Sequence, residues 1–212
     1  MCVGRYPGVC SVFARRACDA SRNFLIWNIL SGKTGCTPQA WVVRAGFARR
    51  TLMRLVVIAV GRLKQGPERE LTERYLNRFD DIGRQLGFRG LEILEIPESR
   101  ARDSATRIAE EAALVSARIP EKSVLVALDE RGENIESAAF ARQIGRWRDE
   151  QSAHTIFAIG GADGLSPELR RKAKLTMAFG SATWPHQMVR LMLLEQLYRA
   201  ATILAGHPYH RA

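Results

Sequence analysis

The sequence predicts an α/β fold: a mostly parallel sheet of five to six strands with helices on both faces. Three observations carry that prediction. From Met53 onward, short apolar runs alternate with longer stretches of helical period. Most of the runs stop at glycine, proline or a cluster of small residues, as strand ends do. The chain has 212 residues, 46% hydrophobic and 25% charged, which is ordinary for a globular protein and ample for a core.

Leu55 to Val60 is a continuous apolar run ending at Gly61, the mark of a strand buried on both faces. Pro67 to Leu86 reads as a helix, because Leu71, Tyr75, Leu76, Phe79 and Ile82 recur at intervals of three and four. Leu91 to Ile96 alternates as a half-buried strand and stops at Pro97. Asp103 to Ile119 is a second amphipathic helix, with Asp103 at its N-cap. Ser123 to Leu128 is a central strand running into Asp129-Glu130-Arg131-Gly132, and Glu136 to Asp149 is a third helix carrying Phe140, Ile144 and Trp147. His154 to Ile159 is a strand that empties into Gly160-Gly161, and Ser166-Pro167-Glu168 has the cap and first-turn proline of a helix start. Leu175 to Phe179 is the fifth strand. It ends in Gly180-Ser181-Ala182-Thr183, after which Trp184-Pro185-His186 opens a helix to Ala205.

That last helix carries two apolar sides. Val189, Leu193, Leu197, Ala201 and Leu204 form one stripe, and Met188, Leu191, Met192 and Tyr198 add another. A terminal helix with more apolar surface than one sheet covers points to a homodimer; a helix sunk in its own subunit is the competing reading.

Residues 1 to 52 differ in kind. They hold eight of the 32 basic residues and one acidic residue, Asp19, whereas residues 53 to 212 carry 24 basic and 21 acidic side chains, a net charge of only +3. All four cysteines, at 2, 10, 18 and 36, fall in this segment, at spacings unlike a zinc clip. Ser31-Gly32-Lys33-Thr34 lacks the upstream glycine of a phosphate loop, since position 27 is Trp. The segment has no sustained period, and the expectation is an N-terminal extension that is disordered or not translated, with the domain at 53–212. An Arg-rich transit peptide is the other reading. Phe24 to Leu30 is far shorter than the ~20 residues of a membrane span. A cytoplasmic protein outside the membrane is expected.

Two strands ending in small-residue loops let backbone approach a ligand closely. Residues 53 to 212 hold no H-x-x-x-H or Cys/His cluster, no G-x-S-x-G elbow and no cysteine, and the first strand ends in Gly61-Arg62-Leu63-Lys64-Gln65-Gly66 rather than G-x-G-x-x-G. Metal chemistry, covalent hydrolysis and a dinucleotide fold are thereby disfavoured. A main-chain pocket remains, suited to an adenosine-like ligand between Leu128 and Trp184.

Val60-Gly61, Leu128-Asp129, Ile159-Gly160-Gly161-x-x-Gly164-Leu165-Ser166, Pro185-His186-x-x-Val189-Arg190, Glu195 to Ala200 and the terminal His207-Pro208-Tyr209-His210-Arg211 resemble, in order, the RlmH family. These are bacterial large-subunit ribosomal RNA methyltransferases of the SPOUT class. The resemblance covers Met53 to Ala212. It implies a C-terminal trefoil knot, a rare exception to unknotted connection, and S-adenosylmethionine held by Leu128, Gly160, Phe179, Gly180, Ser181, Ala182, Thr183 and Trp184. It further implies a homodimer that methylates N3 of a pseudouridine in 23S rRNA on the assembled ribosome, with no metal. A non-catalytic ribosome- or RNA-binding factor of the same fold, or a methyltransferase for another RNA, is the alternative.

Transfer from a sulfonium is an in-line displacement governed by positioning and electrostatics. The N3 imide must lose a proton, so Arg211, His210 and Tyr209 are the candidate catalytic residues: Arg211 to stabilise charge on the uracil oxygens, His210 to take the proton. His186 ranks next, against a capping or packing role. Arg190 and Glu195 read as a structural ion pair. Arg170-Arg171-Lys172-x-Lys174 reads as a solvated helix face.

Overall fold

The computed structural model describes residues 52–209. The N-terminal extension and the candidate catalytic side chains His210 and Arg211 lie outside the described residues. The elements are β1 (Met53–Val60), α1 (Pro67–Gly83), a 3₁₀ turn (Arg84–Leu86), β2 (Phe88–Ile96), α2 (Ser104–Ser116), β3 (Val124–Asn134), α3 (Ser137–Asp149), β4 (His154–Ile159), α4 (Pro167–Lys172), β5 (Leu175–Ala178) and α5 (His186–Leu204).

The strands form one five-stranded sheet in the order β2-β1-β4-β3-β5, and every pairing is parallel. Helices cover both faces. Leu55, Val57 and Ala59 of β1 join a core with Phe79 of α1, Phe140 and Trp147 of α3, and Leu193 and Leu197 of α5. Val56, Ile58 and Val60 point the other way, into a core with Val115 of α2 and Leu169 of α4. Successive side chains of a strand alternate faces, so a strand covered on both sides has no position for a polar residue.

Local chemistry sets the helix ends. Asp103 accepts a hydrogen bond from Thr106 N at 2.8 Å, and Ser166 Oγ accepts one from Leu169 N at 3.2 Å. Such caps are worth about 1 kcal/mol each. The first helix ends earlier than its period suggests: its last three residues tighten into the 3₁₀ turn, and Gly87, at φ 88°, closes it with its N–H on Arg84 O.

β3 departs from the expected boundary at Leu128. Leu128 pairs with Met177, residues 129–132 loop out, and the chain then pairs with β5 again, Glu133 with Met177 and Asn134 with Ala178. A Cβ on Gly132 would lie 2.5 Å from the Met177 carbonyl carbon, so the loop passes directly against the β5 backbone. Tyr198 also departs from expectation. Rather than facing outward it is 8% exposed, its ring 6.0 Å from that of Tyr75 on α1, while Met188, Leu191 and Met192 stay half-buried.

Candidate active site

Because all five strands are parallel, their carboxyl ends open at one rim, where ligands of such sheets bind. A cavity of about 790 Å³ lies there, walled by the ends of β3, β4 and β5, the segment to Pro185, and His186 and Val189 of α5.

Two glycine turns shape it. A Cβ on Gly160 would meet Gly164 C at 2.5 Å and Leu165 N at 2.8 Å, so the turn closes on itself only with glycine there. Gly164 N donates to Gly161 O at 3.1 Å, and Gly164 has φ 80°, a left-handed conformation that favours glycine. Asp163 at the turn's apex is held by Arg107 of α2, whose Nε and Nη2 donate to its carboxylate at 2.6 and 2.9 Å. That bidentate bond lowers the Asp163 pKa and raises the Arg107 pKa from their ordinary values. In the second turn Gly180, at φ 98°, donates its N–H to Asn134 Oδ1 at 2.7 Å. Trp184 Nε1 donates to Phe179 O at 3.0 Å, fixing a ring that is still 44% exposed at the cavity wall.

Three carboxylates line the cavity. Asp129 pairs with Arg170 at 2.9 Å and Asp163 with Arg107. Glu130 accepts a hydrogen bond from Thr183 Oγ1 at 3.2 Å and has no cationic partner among the described residues. Arg131, which also lines the cavity, has no carboxylate partner among the described residues either, so Glu130 supplies a local negative charge beside Thr183 rather than a net charge for the wall.

Behind the cavity, Arg190 is wholly buried. It donates from Nη1 to Glu95 Oε1 at 2.6 Å and from Nη2 to Gly61 O at 2.9 Å, binding the second turn of α5 to the ends of β1 and β2. Its partner is thus Glu95 rather than the expected Glu195, which instead pairs with Arg199. Glu95 is 95 residues away in sequence, beyond the reach of any helical spacing. One turn before Arg190, His186 Nε2 stands 4.0 Å from Glu98 Oε1.

Of the eight residues expected to hold the cofactor, Leu128, Gly160, Phe179, Gly180, Ala182, Thr183 and Trp184 line the cavity, and Ser181 does not. Glu130, His186 and the turn from Ala162 to Gly164 also line it. The strand-end rule points to Glu130 and that turn, since Glu130 follows the apolar run of β3 that ends at Leu128 and the turn follows β4. Ile108 and Arg170, which come from flanking helices, give no such sequence signal.

Tyr209 is not part of the cavity lining. Its hydroxyl donates to Glu195 Oε1 at 3.2 Å, its ring meets Tyr198 edge-on at 4.9 Å, and the Arg199 guanidinium lies 5.0 Å from its centroid. Burial, followed by the negative charge of Glu195, pushes its pKa up to about 12. Among the described residues no three His, Cys, Asp or Glu side chains converge as metal ligands do.

Residues 53–210 match the family model described as "Predicted SPOUT methyltransferase". Among curated relatives, the ribosomal RNA large subunit methyltransferase H of Bradyrhizobium diazoefficiens is 79% identical over 160 residues, covering 76% of this chain and 100% of that protein. The protein of the same name from Bradyrhizobium sp. strain ORS 278 is 78% identical, covering 76% of this chain and 99% of its own. Among solved structures, the SpoU methyltransferase AviRb of Streptomyces viridochromogenes overlaps at a TM-score of 0.34 and 15% identity, covering 75% of this chain and 62% of that one.

Proposed function

The chain belongs to the SPOUT methyltransferase family, and from that premise we propose that it is an S-adenosylmethionine-dependent methyltransferase of large-subunit ribosomal RNA, with N3 of a pseudouridine in 23S rRNA on the assembled ribosome as its target. The observation that carries this reading is the glycine-turn cavity at the carboxyl ends of β3, β4 and β5. Its size and its main-chain walls fit an adenosine-bearing ligand, and the Glu130 carboxylate, in no ion pair, places a negative charge on one side of it. The relatives' names supply the RNA.

When bound, S-adenosylmethionine supplies a methyl group already activated on a sulfonium. The chain's own residues do the rest. Leu128, Gly160 and the segment from Phe179 to Trp184 hold the donor, and Glu130 favours its positive charge. The close passage of Gly132 over Met177 supports the trefoil knot expected of the family, which makes these turns one rigid cradle.

The acceptor base is handled by the tail. Arg211 stabilises negative charge on the uracil oxygens and His210 takes the N3 proton. Tyr209, neutral until about pH 12, serves as donor and anchor rather than as base. The tail acts from the partner subunit. Tyr209 docks at the level of Glu195 to Arg199 on α5, whereas the cavity reaches only to Val189, and nine residues of helix rise ~14 Å. Met188, Leu191 and Met192 supply the half-buried apolar strip on which two such subunits would pair. The reaction takes place in the cytoplasm, where ribosomes are, and the domain occupies residues 53–212, with 1–52 outside it.

Ribosomes from a strain lacking the gene, incubated with the protein and isotopically labelled S-adenosylmethionine, should gain one methyl on a single 23S pseudouridine by mass mapping. Label in transfer RNA alone, or in no RNA, would overturn the reading.

A further inference from the structure

Two loops leave the sheet side by side next to the cavity. Val60 pairs with Ile96 at the last position of β1 and β2, so the segments 61–66 and 97–103 emerge together at the rim that holds the donor site. The first begins at the cavity edge, since a Cβ on Gly61 would sit 3.1 Å from Nε2 of the cavity-lining His186.

Both loops are pinned by charged side chains, of which Arg190 and Glu111 are buried. Gly61 O and Leu63 N are held by the Arg190–Glu95 pair, with Leu63 N donating to Glu95 Oε1 at 2.8 Å and Leu63 itself 7% exposed. In the second loop, Ser99 N donates to Oε1 of the buried Glu111 at 3.0 Å. Arg107 Nη1 donates to Ala101 O and Arg102 O at 3.1 and 2.9 Å. A surface loop held by this many internal hydrogen bonds has lost its flexibility before any partner arrives.

The side chains these loops present outward are cations. Arg62, Lys64, Arg100 and Arg102 are exposed, and among the described residues none has a carboxylate partner. The acidic groups of the two loops are engaged or set aside: Asp103 caps α2, and Glu98 faces His186. The domain as a whole carries only +3, so four free cations on one pinned rim are a local concentration of charge.

We infer that segments 61–66 and 97–103 form a preorganised phosphate-binding rim. It grips the RNA backbone beside the target nucleotide through Arg62, Lys64, Arg100 and Arg102. The inference rests on the reading of ribosomal RNA as substrate and adds the surface that receives it. Preorganisation matters because a phosphate contact made by a fixed loop loses little side-chain and backbone freedom on binding. Each such contact releases counterions, steepening the salt dependence by about 0.7–0.9 in log–log slope.

The test uses the full chain, ribosomes from a strain lacking the gene, and two double variants, Arg62→Ala/Lys64→Ala and Arg100→Ala/Arg102→Ala. The control is Arg89→Ala/Arg118→Ala, which removes the same charge from exposed positions away from the rim, Arg89 near the amino-terminal end of β2 and Arg118 in the turn after α2. Each rim variant should raise KM for ribosomes about tenfold and flatten the salt slope by about 1.4–1.8. S-adenosylmethionine affinity by calorimetry should not change, and the control should behave as wild type. Rim variants no worse than the control would overturn the inference, and so would a rim variant that loses cofactor affinity as much as ribosome affinity. Failure of the wild-type protein to methylate ribosomes would instead remove the substrate reading, and this inference with it.

Discussion

Arg190 and Glu95 meet at 2.6 Å across 95 residues of sequence, with the arginine side chain 1% exposed and the glutamate side chain 34% exposed. The pair joins the helix that carries His186 and Val189 to the strand ends that carry the cationic rim. One side therefore faces the cavity proposed for the methyl donor, and the other faces the rim inferred to receive RNA. Because one partner is buried and the other reaches water, the two truncations should not cost the same.

Glu95→Ala leaves a buried guanidinium with only Gly61 O as partner, and about 2–4 kcal/mol of stability should be lost. Arg190→Met removes the charge and keeps an apolar stem of similar length, so its cost should be about half of that or less. Urea unfolding at unchanged slope separates the two. A larger loss for Arg190→Met would mean that the pair does not hold the cation against burial as described.

The glycine turns predict a second contrast. Gly160→Ala places a methyl within 2.5 Å of the Gly164 backbone, which cannot move without opening the turn. Calorimetry should show S-adenosylmethionine affinity lowered at least a hundredfold. Gly164→Ala meets nothing within 4 Å, and its cost is the left-handed backbone alone, about 1–2 kcal/mol. It should retain binding once folded. Equal losses of affinity in the two variants would show that the turn's close approach is not what shapes the cavity.

Much of this arrangement is legible in the sequence because strand ends announce themselves. The apolar run to Val60, the run to Ile159 and the small residues after Phe179 mark parallel strands opening at one rim, and the family resemblance implies the eight cofactor residues there. Ser181, inside the same loop, does not face the cavity; which way each residue of an irregular loop points has no period to reveal it. The second half of β3 was hidden because Asp129 to Asn134 is too polar to read as a strand, and its pairing partner Met177 lies more than forty residues away. Sequence proximity offers Arg190 the nearer glutamate, Glu195, on the same helix, whereas the fold pairs it with Glu95. Local spacing finds elements; partners across the sheet come only from the fold.

The docked tail should titrate in alkali. Burial and the Glu195 carboxylate raise the Tyr209 pKa from 10.0 to about 12 in the folded chain. The neutral phenol is thus the form the fold favours. Its contribution is complete below about pH 10 and is lost as pH rises through about 12, where the phenolate would face Glu195. Ultraviolet tyrosinate titration of wild type against Tyr209→Phe should show one late-titrating hydroxyl missing in the variant. Glu195→Gln should bring that step to lower pH. An unchanged titration in Glu195→Gln would remove the carboxylate from the account of how the tail is held.

Glu130 offers a test of charge in the proposed donor site that is separate from shape. Its carboxylate meets only the Thr183 hydroxyl, at 3.2 Å, while Asp129 and Asp163 are each neutralised by an arginine. Glu130→Gln keeps the side-chain size and a hydrogen-bonding oxygen for Thr183 but removes the carboxylate charge. S-adenosylmethionine carries a sulfonium and its demethylated product does not, so the variant should weaken the first more than the second. At an exposed position the difference is about 0.5–1 kcal/mol, two- to fivefold in the ratio of the two dissociation constants, and it should shrink as salt is raised. Parallel calorimetric titrations with the two ligands measure that ratio directly. An equal loss for both would place Glu130 against a group they share, leaving the sulfonium stabilised by main-chain carbonyls of the glycine turns alone.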